Sequence, residues 1–590
     1  MESVEIVTGI PSVEYGDLSN GIVKVHTRRG KSPFIVEGSL NQHTRQVALN
    51  KGFDLGRRAG VLNASVEHAR SFSDAASPHT AYQRNILSLR YSNIFMQQTT
   101  PLTLAIALNG NLGGYNSEAD PDEELDDYQK TRDNTLRASM DVQWLLNRPW
   151  LTNLEMQASL SYQDRKSESY AHTSSASTQP YIHATDEGYH LADLSPTGYW
   201  YVRSYLDSKP LTWAVKLKAT LTRRLSRANN RLTAGVQWNG SHNEGRGTYY
   251  ADPATTPTWR EYRYDRLPAM NNVALYVEDK LSLPLDHLLK PLTAFELTAG
   301  LRSDITLISG SDYGTVSSLS PRVNGRLVFW RNKRKWLVSD LNIHAGWGKS
   351  VKLPSMQVLY PAPSYSDLLS FASTSTADNT SYYAYHTFPT KAQYNAALRW
   401  QYTNQTDVGL EFSTRGHRFS LSLFRHETCR AYMSARTYTP FVYRYTNQAA
   451  VQQCGIEADN RAFSIDPSTG TVSVIDRTGQ KATVQLPYTD RKTYTTNQYY
   501  TNATPIDRYG VEFQEEGRGR MKTFTILSIP DPFPLYCVFD LEIDYRTDFK
   551  KLRDFTFFLL RDDGFTGKSG EMMEEYIHNG GYTISRQTIS

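Results

Sequence analysis

The sequence lacks long hydrophobic runs. No stretch approaches the roughly 18 consecutive apolar residues of a transmembrane helix, and runs such as Phe557–Leu560 are far shorter. It also lacks an excess of charge of one sign. Lys and Arg number 64 against 60 Asp and Glu, and the net +4 gives no electrostatic case for a nucleic-acid partner. Cysteine is scarce. Cys429, Cys454 and Cys537 are too few for a disulfide framework or a Cys-based zinc site. One bridge is open to them, and free thiols are the plainer expectation. Apolar residues make up only 39% of the chain, below the usual share for a globular domain, and the mean hydropathy is −0.53. Catalytic signatures are missing too: no P-loop, His-Glu-x-x-His, Gly-x-Ser-x-Gly or dinucleotide fingerprint. No catalytic residue, cofactor or metal is therefore expected. The opening Met1-Glu2-Ser3-Val4-Glu5 has neither the basic nor the apolar region of a secretory signal. That places the protein in the cytoplasm or puts its true start upstream.

What is present points elsewhere. Aromatics reach 12%, led by 38 Tyr, which excludes a disordered chain. A length of 590 residues would ordinarily make three or four domains. The dominant pattern is instead period-two alternation in segments of about ten residues, the signal of a strand with two unlike faces. Leu154, Met156, Ala158, Leu160 and Tyr162 alternate with Glu155, Gln157, Ser159 and Ser161. Trp213, Val215, Leu217, Ala219 and Leu221 alternate with Ala214, Lys216, Lys218 and Thr220. Trp144, Tyr162, Trp213 and Trp238 stand near strand ends, where an interfacial girdle would place them.

The connections alternate between short ones, such as Leu146–Trp150 and Ser226–Asn230, and long ones, such as 165–209, 353–400 and 430–505. Short turns on one side and long loops on the other are the habit of an outer-membrane barrel, with lipid outside and a polar lumen inside. The fold class predicted is all-β: a large antiparallel transmembrane β-barrel of about 16 strands up to Gln514, an estimate built on that alternation.

Residues 1–31 read differently. Val4-Glu5-Ile6-Val7 is a short strand, Gly9 and Pro11 mark a turn, and Val13–Asp17 form a short turn or helix ended by Gly16. Gly21–Thr27 is a second strand followed by Arg28. Val4, Glu5, Ile6, Val7, Gly9, Pro11, Tyr15 and Gly16, then Gly21, then Thr27 and Arg28, form an order that resembles the end of the plug domain of TonB-dependent outer-membrane receptors. Tyr15-Gly16-Asp17-Leu18 is similar to the Bacteroidota-type version. Lys352-Leu353-Pro354-Ser355, Asp407–Phe412 and Tyr509–Phe513 resemble segments of the same family downstream.

The resemblance implies a plug end at 1–31 and a barrel at 32–514, incomplete at about 16 of the 22 strands described for plugged transporters. It further implies that the chain is a fragment, lacking a signal peptide, most of the plug and the C-terminal strands. Residues 515–590 read as an atypical tail. Pro530, Pro532 and Pro534 crowd one stretch, and a shifted reading frame is the expected cause. The implied function is energy-coupled uptake of a scarce ligand, an iron siderophore or another large nutrient, and the implied location is the Gram-negative outer membrane. The implied partners are outer-membrane lipid and lipopolysaccharide, the TonB complex through a segment absent here, a small-molecule, glycan or peptide ligand, and a surface lipoprotein. A passive porin-like barrel and a soluble all-β carbohydrate-binding protein or hydrolase are the alternatives.

Ligand contacts are expected in aromatic, Arg-bearing loops: Tyr199, Trp200 and Arg203; Tyr249, Trp259, Arg260 and Tyr262; and Tyr382. The acidic run Glu118–Asp127 lacks EF-hand spacing and reads as a solvated outer loop. His68 reads as a packed or interfacial residue, and His26 and His344 as polar strand residues facing the lumen.

Overall fold

The computed structural model describes residues 3–7, 10–17, 22–26, 32–56, 58–72, 80–117, 126–285, 292–308, 313, 315–330, 337–376, 379–390, 395–414, 417–517, 520–529, 535–544 and 551–561. Long strands follow from the alternating pattern, since each side chain then finds its own solvent on its own side. Ile35–Leu40 pairs with Thr44–Asp54, and an antiparallel meander runs on from there to Lys551–Arg561. Among the described residues, twenty-one strand segments make this one barrel sheet. Gly198–Ser208 continues into Pro210–Leu225 with the same register on Leu151–Ser175. Gly247–Tyr250 extends Ala228–Asn243 with the register shifted by one residue. The pairing runs on past Gln514, where sequence reasoning ends the barrel, through Arg520–Ile529, Leu535–Asp544 and Lys551–Arg561.

The two faces of the wall are inverted relative to a soluble protein. Leu301 is 41% exposed while its neighbour Arg302 is 1% exposed. Leu275, Val277, Leu307, Leu319 and Val323 are exposed, and Asn272, Asp304, Thr306, Ser320 and Arg322 are buried. Burial of charge beneath exposed leucine is stable only where the outside is apolar, as lipid is. Along Leu151–Ser175 the outward side chains from Leu154 to Tyr162 are apolar, about 26 Å of strand at roughly 3.3 Å per residue. That is of the order of the roughly 25 Å band of an outer-membrane barrel. Trp144 and Leu154 pair near the short-turn end, and Tyr162, Leu211 and Leu136 pair at the other.

The span 165–209, expected as one long loop, is mostly strand. Leu151–Ser175 and Gly198–Ser208 stay paired through Ser175↔Gly198. Above Tyr162 the outward face becomes Asp164, Lys166, Glu168 and Tyr170, so the apolar half of the alternation disappears although the strand continues. The longer loops are folded as well. The hairpin Ser364–Thr374 with Ser381–Thr390, the ribbon Tyr432–Tyr445 with Thr489–Asn502, and the small sheet Arg461–Ile465, Val472–Asp476 and Val484–Gln485 pack together. Phe371 of the hairpin, Val451 of the short helix Gln448–Gln452, and Phe463, Val472 and Val474 of the small sheet form one core, and the ribbon joins the hairpin through Phe441 stacked on Phe388. Cys429 and Cys454 are buried free thiols; the side chain of Cys537 lies outside those described.

Candidate functional site

Two regions are the candidates for a functional site: the inside of the wall, where residues 10–17 dock, and the loop layer above it. Ser3–Val7 pairs with Ile22–His26, with Val4 opposite Val25, Glu5 opposite Lys24, Ile6 opposite Val23 and Val7 opposite Ile22. Gly9, Gly21, Thr27 and Arg28 lie outside the described residues. Pro11, Tyr15 and Gly16 belong to the segment between, which lies against the polar face of Pro210–Leu225 through Asp340–Lys352.

This docking is polar around an apolar pin. Val13 is fully buried, and a Cβ built on Gly300 would lie 2.8 Å from both its methyl groups. Burial of one such side chain stabilises by about 1.5–3 kcal/mol. Ile10 fits over Gly346 and Gly348 in the same way. The backbone has no helix or sheet to join here, so barrel side chains satisfy it. Asn324 Nδ2 donates to the Ile10 carbonyl (3.1 Å), and Arg322 Nη1 donates to those of Pro11 (3.1 Å) and Ser12 (2.6 Å). Arg302 Nη1 reaches the carbonyls of Val13 and Glu14, and its Nε is held by Asp304 at 2.9 Å. The Val13 amide donates to Glu278 Oε2 at 3.0 Å.

Glu14 points between Lys216 and Lys218, bonded to the first and 3.4 Å from the second, and Lys218 also pairs with Glu155 at 2.6 Å. Burial alone would raise the Glu14 carboxyl. Hydrogen bonding and charge from Lys216, then Lys218, overcome that and hold it below the usual carboxylate value. Asp17 accepts from the Leu353 amide at 2.9 Å and pairs with Lys352. The Lys352–Ser355 motif therefore meets the plug-end motif directly. Sequence reasoning missed Lys216, Lys218, Glu278, Arg302, Arg322 and Asn324. Their one signal was charge at i and i+2 on a strand's polar face, which a water-filled lumen would explain equally well.

The aromatic loop residues do not converge on one point. Tyr199, Arg203 and Tyr249 stand on the outer wall: Tyr199 stacks on His172, Arg203 lies over Tyr170, and Tyr249 stacks on Tyr205. Trp200, Trp259, Arg260 and Tyr262 tie the loops together. Trp200 donates to the Thr255 carbonyl, and Trp259 meets Tyr250 edge-on. Arg260 pairs with Asp367 at 2.7 Å and donates to the Ala184 carbonyl. The Tyr262 hydroxyl donates to the Tyr360 carbonyl, and burial pushes its pKa up to about 12. Tyr382 packs on Phe463 in the loop core. Beneath these loops Leu359, Leu398 and Trp400 form a second apolar cluster with Ile308, Tyr313 and Val351. His344, on the lumen side, contacts Asp407 at 2.8 Å. His68 stands on the outer face and bonds to Asn85 at 2.8 Å.

The comparisons agree with this geometry. A family model described as TonB dependent receptor-like, beta-barrel matches residues 72–559. No curated protein matches the chain. Among solved structures, the siderophore receptor PirA from Acinetobacter baumannii is similar with a TM-score of 0.51 and 13% identity, over 92% of this chain and 71% of that one. The ferric enterobactin receptor PfeA from Pseudomonas aeruginosa gives 0.52 and 12% identity, over 92% and 70%. Identities this low speak to the shared barrel alone. The family match spans most of the chain, over the wall that holds residues 10–17 on its inner face: the protein belongs to the TonB-dependent receptors, an outer-membrane family of transport receptors.

Proposed function

We propose that the protein takes up a scarce ligand, an iron siderophore or another large nutrient, by transport coupled to the TonB complex. The observation that supports this best is the docking of residues 10–17. A passive pore has no use for a segment whose carbonyls are bonded by buried arginines inside its lumen. The loop layer, tied together by Arg260 and Tyr262, would capture the ligand, and the barrel would serve as scaffold. Outer-membrane lipid, lipopolysaccharide, the TonB complex and a surface lipoprotein are the proposed partners.

The test is uptake by cells that express the full-length gene product and lack their own receptors. Radio-iron is supplied as catecholate or hydroxamate chelates, and cobalamin, short peptides and oligosaccharides are supplied in parallel. Uptake of at least one probe that stops with a proton uncoupler is expected. Uptake of all small probes alike, indifferent to the uncoupler, would instead establish the passive porin.

A further inference from the structure

The apolar cluster beneath the loops is where several of them meet. Leu359, Leu398 and Trp400 lie in it with Tyr313, and Tyr360 and Tyr432 pack against it. The Tyr313 hydroxyl donates to the Leu359 carbonyl at 2.8 Å, and the Tyr262 hydroxyl to that of Tyr360. Tyr432, at the foot of the ribbon, donates to the Lys352 carbonyl at 2.8 Å and accepts from the Gln401 amide at 3.1 Å. The cluster also stands where the wall ladder stops. Among the described residues, the pairing of Thr315–Trp330 with Asp340–Lys352 ends at Arg322↔Gly348. Beyond that pair, Val316 of the first strand and Val351 of the second are buried in the cluster instead.

A chain of hydrogen bonds leaves this cluster for residues 10–17. The Trp400 indole N–H donates to Thr306 Oγ1 at 2.9 Å. Thr306 donates to Asn272 Oδ1 at 2.8 Å, directly across the ladder. Asn272 Nδ2 donates to Asp304 Oδ1 at 3.0 Å. Asp304 holds the Arg302 guanidinium through both Nε and Nη2 at 2.9 Å. Arg302 Nη1 in turn reaches the Val13 and Glu14 carbonyls at 3.4 and 3.3 Å. All five side chains are buried. Arg302, Asp304 and Thr306 follow one another on the inner face of a single strand, so the chain runs about 13 Å along the wall at roughly 3.3 Å per residue.

The direction of the chain is fixed at both ends. An indole N–H can only donate, and a carboxylate paired with arginine can only accept. Thr306 therefore turns its own O–H to Asn272, and Asn272 turns its amide nitrogen to Asp304. No member can turn away without leaving a buried partner unpaired, which is costly away from water.

We propose that this chain couples the loop cluster to the docked segment. Packing of Trp400 in the cluster holds Asp304, and through it the Arg302 fork, on the carbonyls of Val13 and Glu14. Trp400, Thr306 and Asn272 are then positioning residues for docking, and rearrangement of the loops loosens residues 10–17 through the wall. Coupling between two sites is reciprocal, so loss of docking loosens the cluster as well. The use of such a coupling rests on the transport reading, which the uptake experiment tests by itself. Hydrogen exchange tests the coupling whether or not the barrel transports.

The experiment is hydrogen exchange on the full chain in lipid vesicles, read at the Val13 and Leu398 amides. Amides of the strand Leu102–Ser117 report global stability. Trp400→Phe keeps a ring in the cluster and removes the N–H; Thr306→Val keeps the shape and removes the hydroxyl. Exchange at Val13 is expected to accelerate about threefold in Trp400→Phe and roughly tenfold in Thr306→Val, the range of one hydrogen bond, with the strand amides unchanged. In the double variant, Trp400→Phe should add no further acceleration, because its acceptor is already gone. Glu14→Gln, which loosens the docking, should in turn accelerate exchange at Leu398, whose amide donates to the Asn395 carbonyl at 2.8 Å. Unchanged Val13 exchange in both single variants would overturn the proposal. Effects that multiply in the double variant would overturn it too, since independent packing defects behave in that way. So would a Leu398 amide unmoved by Glu14→Gln. Where Thr306→Val does not fold, Trp400→Phe and Glu14→Gln decide the matter.

Discussion

Glu14 is the residue on which the docking turns. Its carboxylate neutralises Lys216, which is nearly buried and without it would be an unpaired charge out of water, and it shares Lys218 with Glu155. Replacing Glu14 by Gln is expected to loosen residues 10–17 by about 3 kcal/mol. Hydrogen exchange at the Val13 amide would report it as roughly a hundredfold acceleration, while strand amides of the wall keep their protection. The depressed carboxyl also sets a pH window. Because its folded value lies below the unfolded one, its contribution is complete above the ordinary carboxylate range and is lost only as pH falls through the folded value. Gly16 is the second sensitive position. A Cβ there would stand 2.4 Å from the Arg302 guanidinium, whose fork is already fixed by Asp304. Gly16→Ala is expected to cost about 1–3 kcal/mol of docking stability, read by the same exchange. At this scale the sequence was half legible. Gly16, Tyr15 and Pro11 stand out as a motif, but a motif does not say that Arg302 and Arg322, 289 and 311 residues from Val13 and Pro11, receive it.

At the scale of elements, alternation was the legible signal, and its loss was the misleading one. Leu154 to Tyr162 reads as strand because the outward face is apolar; Asp164 to Ser175 is the same strand beyond the lipid, where that face turns polar and the pattern dissolves. The outward face can be tested directly. Leu301→Lys places a charge among lipid tails and is expected to cost about 2–4 kcal/mol, depending on depth, measured by denaturant unfolding from lipid vesicles. An unchanged stability would mean that Leu301 faces water. The loop core offers a pH test. Burial among Tyr189, Phe441 and Tyr443 holds the His386 imidazole below its ordinary value, with Glu187 opposing and His190 adding. The unfolded loop binds the proton first, so loop stability is flat above about pH 6.5 and falls as pH drops toward the folded value. His386→Phe, which keeps the ring stack, should remove this slope, as monitored by proteolysis of the 364–390 hairpin between pH 7 and 5 (ordinary His range).

For the whole molecule, the low apolar content that first argued against a large core is explained by where the apolar surface goes. Leu301 and its counterparts need no protein neighbours, since lipid covers them, and the interior can afford Arg302, Asp304 and Arg322 because residues 10–17 occupy part of it. The barrel class was legible because it depends on a repeated local pattern. The folded loop core was not, since Phe371, Val451, Phe463 and Val472 come from separate loops whose own sequences carry no shared period. The central claim is a membrane-inserted barrel whose inner face holds residues 10–17. It is tested most directly by a cross-link between Val13→Cys and Gly300→Cys, with the native cysteines replaced by serine, in isolated outer membranes. A mobility shift that reduction reverses is expected, because a Cβ at position 300 lies against the Val13 side chain. A folded, membrane-inserted barrel in which the two cysteines never join would contradict it.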